Sequence, residues 1–357
     1  MTHRRTAGRL LAILSVGATL ATAACTGGSA ASSSPPPPPP STSHSSSAAP
    51  KKPPQRPQPH NPYTGIGPVP KTPTIAVKID DTEAGRPQIG IDQADIVYVE
   101  AVEGGLTRLA AIFGTHKPKA VGYVRSTRPS DPDMLLQYGK ITEAFSGGAH
   151  DSLPRLRRSG INAWSQDSGK PYYHRAPHPG DHGYVNVVLN VRKVAAHVKT
   201  PRPHSIGWTF SKSLAGVGKS SRALHIHTTV TGSYTHGTAV DFRYDAKLHK
   251  YVRYIDGRRQ YAADHKPIAA TNVVVQYCTV KSHPQDTDIA GNPSQFTYTV
   301  GKGKVLVFRN GRRIDGTWSR PKLSAGTVFR TAKGHPLPLA PGNTWVVLVR
   351  HGIPTTS

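Results

Sequence analysis

The chain has 357 residues, carries 45 Lys+Arg against 20 Asp+Glu for a formal net charge of +25, and is 36 % hydrophobic. That length accommodates two domains, and the charge attracts anions without choosing among nucleic acid, acidic lipid head groups and anionic wall polymers. There are two cysteines, Cys25 and Cys278; with Cys25 read as a lipidation site and Cys278 as a buried strand residue, a papain-like or metal-thiolate site is excluded.

His3, Arg4, Arg5 and Arg9 precede an apolar run from Leu10 to Leu20, and small residues lead into Cys25. This is the layout of a secretory signal over residues 1–24, too short to span a bilayer as a mature helix. Leu20-Ala-Thr-Ala-Ala-Cys25 resembles a bacterial lipobox, with Thr22 where an aliphatic residue is usual. Lipidation of Cys25 is the expectation, which places the protein outside the cytoplasm on the outer face of the cell membrane. The alternative is ordinary cleavage after Ala23 and release. Export makes nucleic acid the least fitting of the anionic partners. Residues 25–69 are expected to form a Pro- and Ser-rich stalk, disordered or in polyproline II, because their composition buries too little apolar surface to offset chain entropy.

Strand signals begin beyond Pro70. Thr74–Ile79, Asp95–Glu100, Leu106–Phe113 and Val121–Arg125 are short β-branched or apolar runs bounded by Gly, Pro or Asp. Ser130 opens a helix through Tyr138, with Pro132 and two acids in its first turn. Ile141–Phe145 reads as a further strand, and Asp151 caps a short helix that Gly160 ends. The alternation predicts a layered α/β domain over residues 70–200. A linker follows over 201–223, then a β-rich domain over 224–352, giving an α+β chain overall. In that second domain His225–Val230, Asp241–Asp245 and Lys250–Ile255 read as strands. Gln295–Val300, Lys304–Arg309 and Arg313–Trp318 read as a meander, with Asn310-Gly311 as the strongest hairpin signal. Cys278 sits in the strand Asn272–Val280 and reads as a small buried apolar side chain.

An ordered series of segments carries a resemblance. Val77-Lys-Ile-Asp80, Gln93-Ala-Asp-Ile-Val-Tyr98, Glu103-Gly-Gly-Leu-Thr-Arg108, Val121-Gly-Tyr-Val-Arg-Ser-Thr-Arg-Pro129, Arg175-Ala-Pro-His178, Asn272-Val-Val-Val-Gln276 and Pro341-Gly-Asn-Thr-Trp345 resemble the YerB-like lipoproteins. The resemblance covers nearly all of residues 70–350. It implies an exported lipoprotein with two adjoining domains of unknown function, and it brings no catalytic residues with it.

Chemistry is densest around Glu103, Arg108, Arg125 and Arg128. Arg108 follows the Gly104-Gly105 turn, and Arg125 and Arg128 bracket a strand end. Arginine forks suit bidentate capture of phosphate or carboxylate, and the reading is an anion-binding site of Arg108, Arg125 and Arg128, with Gly148 and His150 as further contributors. The bland counterpart is a structural salt bridge from Glu103 or Glu100 to one of the arginines. Asp80-Asp81 at a strand end could join Glu100 and Glu103 in a metal site or acid–base pair, or could simply cap a turn. His174, His178 and His182 are evenly spaced, but Pro177, Pro179 and Gly180 forbid the helix that would bring them together. The binding-module reading therefore has two rivals. One is a hydrolase or transferase on a phosphate- or carboxylate-bearing wall component, using Asp80, Glu103 and His178. The other is a scaffold for another membrane protein. No cofactor and no resident metal is expected.

Overall fold

The computed structural model describes residues 60–177, 185–213, 225–229, 239–353 and 355–356. The first part contains β1 Ile75–Asp80, β2 Ile96–Ala101, β3 Thr107–Phe113, β4 Val121–Gly122, α1 Asp131–Leu135, β5 Thr142–Phe145, α2 Ser152–Ser159, β6 Asn162–Ser165, β7 Tyr173–Arg175, β8 Val187–Leu189 and α3 Val191–His197. The second contains β9 His225–Thr229, β10 Ala239–Asp245, β11 Lys250–Ile255, β12 Arg258–Arg259, β13 Ala269–Ala270, β14 Asn272–Thr287 and β15 Pro293–Tyr298, followed by β16 Gly301–Arg309, β17 Arg312–Arg320, β18 Val328–Thr331, β19 Thr344–Arg350 and β20 Thr355–Thr356. Strands far outweigh helices, so the α+β class stands in this coarse form. The signal segment, Cys25 and most of the stalk lie outside the described residues. Packed structure starts before residue 70, because Asn61 and Tyr63 are already buried.

One eleven-stranded sheet runs through both parts, in the order β18-β17-β16-β14-β19-β2-β3-β1-β5-β6 with β15 beside β14. The join is β19 lying parallel to β2, from Thr344 opposite Ile96 to Val347 opposite Val99. Both strands are almost unbroken apolar runs, as strands buried on two faces must be. Strand alternation sorts their neighbours. Ile75, Val77, Ile79, Val97 and Val99 face one core, which Phe242, Tyr251 and Trp345 share. Ala76, Ile96, Tyr98, Ala110 and Ile112 face a second core, closed by Met134, Leu135 and Tyr138. A smaller sheet of β9 to β13 with β20, and a three-stranded one of β4, β7 and β8, complete the described body.

Asn310 and Gly311 both take positive φ, 52° and 67°, in the two-residue turn between β16 and β17, the backbone that the Asn-Gly pair favours. The expected meander is corrected, because β15 pairs with β14 and not with β16. The distal half of β14 and β15 thus form a finger that reaches the first part. There Asp286 accepts hydrogen bonds from the Asp151 and Ser152 amides and from Ser152 Oγ, capping α2. The side chain of Asp151, expected in that role, instead meets His283 Nε2 at 2.9 Å.

Cys278 is buried in the second core, and burial pushes its thiol up to about 12. The thiolate is the reacting species, so iodoacetamide is expected to leave Cys278 unmodified in the native protein and to alkylate it only in denaturant, read by mass spectrometry of the peptide that holds it.

Candidate functional site

The β3–β1 and β3–β2 registers place Asp80, Arg108 and Glu100 side by side across three strands, so the three side chains leave the same face of the sheet. Adjacent residues of a strand point to opposite faces, and the Asp80-Asp81 pair is split accordingly. Asp80 turns toward Arg125, whose Nη1 lies 2.9 Å from Oδ2, while its Oδ1 accepts from the Thr82 amide at 2.6 Å. Asp81 serves the other side, where Arg253 grips both its oxygens at 2.8 and 2.7 Å. Asp80 and Asp81 thus serve opposite faces of the sheet, and Asp80 caps the turn at Thr82.

Gly104 and Gly105 adopt left-handed φ values of 61° and 77° in the β2–β3 turn, a conformation open to glycine at little cost. This turn brings Glu103 over Arg128. Glu103 Oε2 accepts from Arg128 Nε at 3.1 Å and Nη2 at 2.7 Å, and Oε1 accepts from Ser294 Oγ of the finger. Arg128 Nη1 donates to the Thr127 carbonyl. Arg128 is therefore spent on structure, as the salt-bridge alternative holds. Burial raises the carboxyls of Asp80 and Glu103, but the arginines reverse this. Arg108 and Arg125 hold Asp80, and Arg128 and Ser294 hold Glu103, below the usual range. Both are carboxylates at neutral pH.

Arg108 is different. It is only 4 % exposed, yet its Nε and Nη1 are buried without a hydrogen-bond partner. Burial, aided by the neighbouring Arg128, pushes its guanidinium down to about 9 against the pull of Asp80. It remains protonated at neutral pH. A buried donor left unpaired costs on the order of 1–3 kcal/mol, and a native fold rarely bears that without a reason.

Arg108, Arg125 and Arg128 line one cleft of about 950 Å³ with Glu103, and the finger tip adds Asp288 and Ile289. The three sequence-predicted arginines are thus brought together. Gly148 and His150 are not among them: Gly148 bridges to Thr127 and packs on Leu153, and His150 is exposed. His178 and His182 lie outside the described residues, and the side chain of His174 is exposed on β7. Sequence reasoning missed the finger altogether. It also missed Lys78, which is completely buried beneath the site and contacts Glu100 and, at 2.8 Å, Asp131, with Glu143 close by. Glu100 belongs to this cluster and does not pair with the cleft arginines in the hydrogen bonds of the site.

Residues 63–203 match the model described as protein of unknown function (DUF3048) N-terminal domain, and residues 229–346 match its C-terminal counterpart. The chain belongs to the DUF3048 family. A curated member-like relative is YerB of Bacillus subtilis (strain 168), whose provisional name is lipoprotein. It is 27 % identical over 286 residues, which are 77 % of this chain and 80 % of YerB. The crystal structure of YerB from Bacillus subtilis superposes with a TM-score of 0.68 at 22 % identity, covering 84 % of this chain and all of that one. That likeness shows a shared fold. Among the described residues no helix is long and apolar enough to cross a membrane.

Proposed function

We propose that this DUF3048 protein is a lipid-anchored envelope protein that binds an anionic ligand in the Arg108 cleft. The anchor reading rests on Cys25 behind the apolar run Leu10–Leu20 and on the name that the relative YerB carries. A single observation carries the binding reading: Arg108 stands at the cleft with two buried N–H groups unmatched. Arg125 and Arg128 are held by Asp80 and Glu103, so they supply field and shape, while Arg108 is the seat. An anion bound there restores the hydrogen bonds that Arg108 lacks, and charge-assisted bonds of this kind contribute about 1.5–3 kcal/mol.

The enzyme reading finds less support. Of the groups that reading needs, Asp80 and Glu103 are held ionised by arginines, which leaves neither as a proton donor near neutrality. Calorimetric titration of the full-length protein with inorganic phosphate and pyrophosphate tests the proposal. Arg108→Gln is expected to weaken binding by at least ~10-fold, the worth of one charge-assisted bond. Arg157→Ala, on the exposed face of α2, is expected to change it by less than ~2-fold, as for a screened surface charge. Equal loss from both reduces the affinity to diffuse charge and rejects the site.

A further inference from the structure

The cleft lining sets apolar side chains beside Arg108, Arg125 and Arg128, with Glu83, Glu103 and Asp288 among them. Leu106 and Ile289 both line it, and both are among the few large hydrophobic side chains left exposed in the described residues, Ile289 completely so. Leu106 comes from the β2–β3 turn and Ile289 from the finger tip, with Val102 and Ala84 also in the lining.

The tip that presents Ile289 is a built turn. Asp288 Oδ1 accepts from the Ala290 and Asn292 amides at 2.9 and 2.8 Å, and Oδ2 accepts from Asn292 Nδ2 at 3.0 Å. Ser294 ties the finger to Glu103, and Asp286 ties it to α2. The isoleucine is thus held in water by hydrogen bonds on both sides of it. Two exposed aliphatic side chains lining the same cleft as a charged site offer apolar surface to a ligand seated there.

We infer that the ligand of the Arg108 cleft is a phosphate-headed amphiphile whose aliphatic portion lies between Leu106 and Ile289; this rests on the anion reading above. A phosphate head offers several acceptor oxygens to a guanidinium whose Nε and Nη1 are unmatched. A bare anion leaves Leu106 and Ile289 wet, and an uncharged lipid leaves Arg108 unmatched. An amphiphile satisfies both.

The test is a chain-length series on the full-length protein, with methyl, butyl and hexyl phosphate titrated calorimetrically below any micelle formation. Hexyl phosphate is expected to bind about 10-fold more tightly than methyl phosphate, the effect of covering part of its chain at the usual gain per buried methylene. In Ile289→Ser, and more so in Ile289→Ser with Leu106→Ser, that ratio is expected to fall to about threefold or less. Ile289 is fully exposed, so its substitution tests the idea without disturbing a core. Equal affinity for the methyl and hexyl esters overturns the amphiphile inference and leaves the anion site standing. So does a ratio unmoved by the serine variants. Failure of every ester, and of inorganic phosphate, to bind overturns both.

Discussion

Arg253→Met is expected to lower the thermal midpoint of this protein by on the order of 10 °C, corresponding to about 3–5 kcal/mol for breaking one side of a buried ion pair. Arg253 is inaccessible on β11, and its Nη1 and Nη2 meet Asp81 Oδ1 and Oδ2 in a two-pronged bond. The guanidinium also lies 4.9 Å from the centre of the Trp345 ring. It therefore ties together β1 of the first part, β11 of the small sheet and β19 at the sheet join. Methionine keeps the apolar stem but leaves the Asp81 carboxylate buried with only Thr107 Oγ1 at 2.6 Å and a long contact from Gln88. Urea unfolding at pH 7 reads the effect. The double variant Arg253→Met with Asp81→Asn is expected to recover part of the loss, because the stranded charge is gone. A single variant within ~0.5 kcal/mol of wild type, the range of an inert surface change, shows that the pair holds nothing together.

Much of the strand content was legible because local pattern determines it. The runs that become β1, β2 and β3 are short, apolar and bounded by turn residues, and Asn310-Gly311 demands the turn it forms. The pairing of β19 with β2 was not legible. It joins residues some 250 positions apart in parallel, and nothing in either apolar run encodes which other run it will lie beside. The finger was hidden for a related reason. Asn272–Thr287 begins as a core strand and ends as a polar one, so hydrophobic pattern alone stops it halfway. Non-local contacts also displaced the expected helix cap, since Asp286 arrives from 134 residues away to do what Asp151 was expected to do.

For the site, residue type pointed to the right place but could not apportion the charges. A Gly-Gly turn before Arg108, and Arg125 and Arg128 before Pro129, mark arginines near strand ends, and all three reach one cleft. Which of them stays unmatched depends on where Asp80 and Glu103 turn, and that follows from strand parity and from the Gly104-Gly105 backbone. The one clue to the deeper polar cluster was Lys78, a lysine at an inward position of Ile75–Ile79. A lysine within a strand buried on both faces must find acid partners inside the fold.

That lysine sets the second large effect. Lys78→Met is expected to cost about 3–5 kcal/mol at pH 8, because removing one partner of a buried ionic group strands the others. Glu100, Asp131 and Glu143 are all inaccessible, and Glu143 Oε2 has no hydrogen-bond partner. Burial opposes the charge on Lys78, but Asp131 and Glu100 more than reverse it and hold the amine above its ordinary value. Burial and the nearby Asp131 push Glu100 up to about 7 and Glu143 well above its usual range. Carboxyls raised in the fold contribute stability that is complete below about 4.5, their unfolded value, and is lost as pH climbs through the folded value. Wild-type stability is thus expected to decline from pH 5 to pH 8. Asp80 and Glu103 are shifted the other way, and their contribution falls away only as pH drops below about 4. Without Lys78 nothing offsets the three acids, so the penalty of Lys78→Met should be smaller at pH 5 than at pH 8. Glu143→Gln removes one raised carboxyl at constant shape, so its effect should turn more stabilising as pH climbs through the folded value of Glu143. Urea midpoints for wild type and both variants at the two pH values check this. A wild-type midpoint that is the same at pH 5 and pH 8 means that Glu100, raised to about 7, does not titrate in that window.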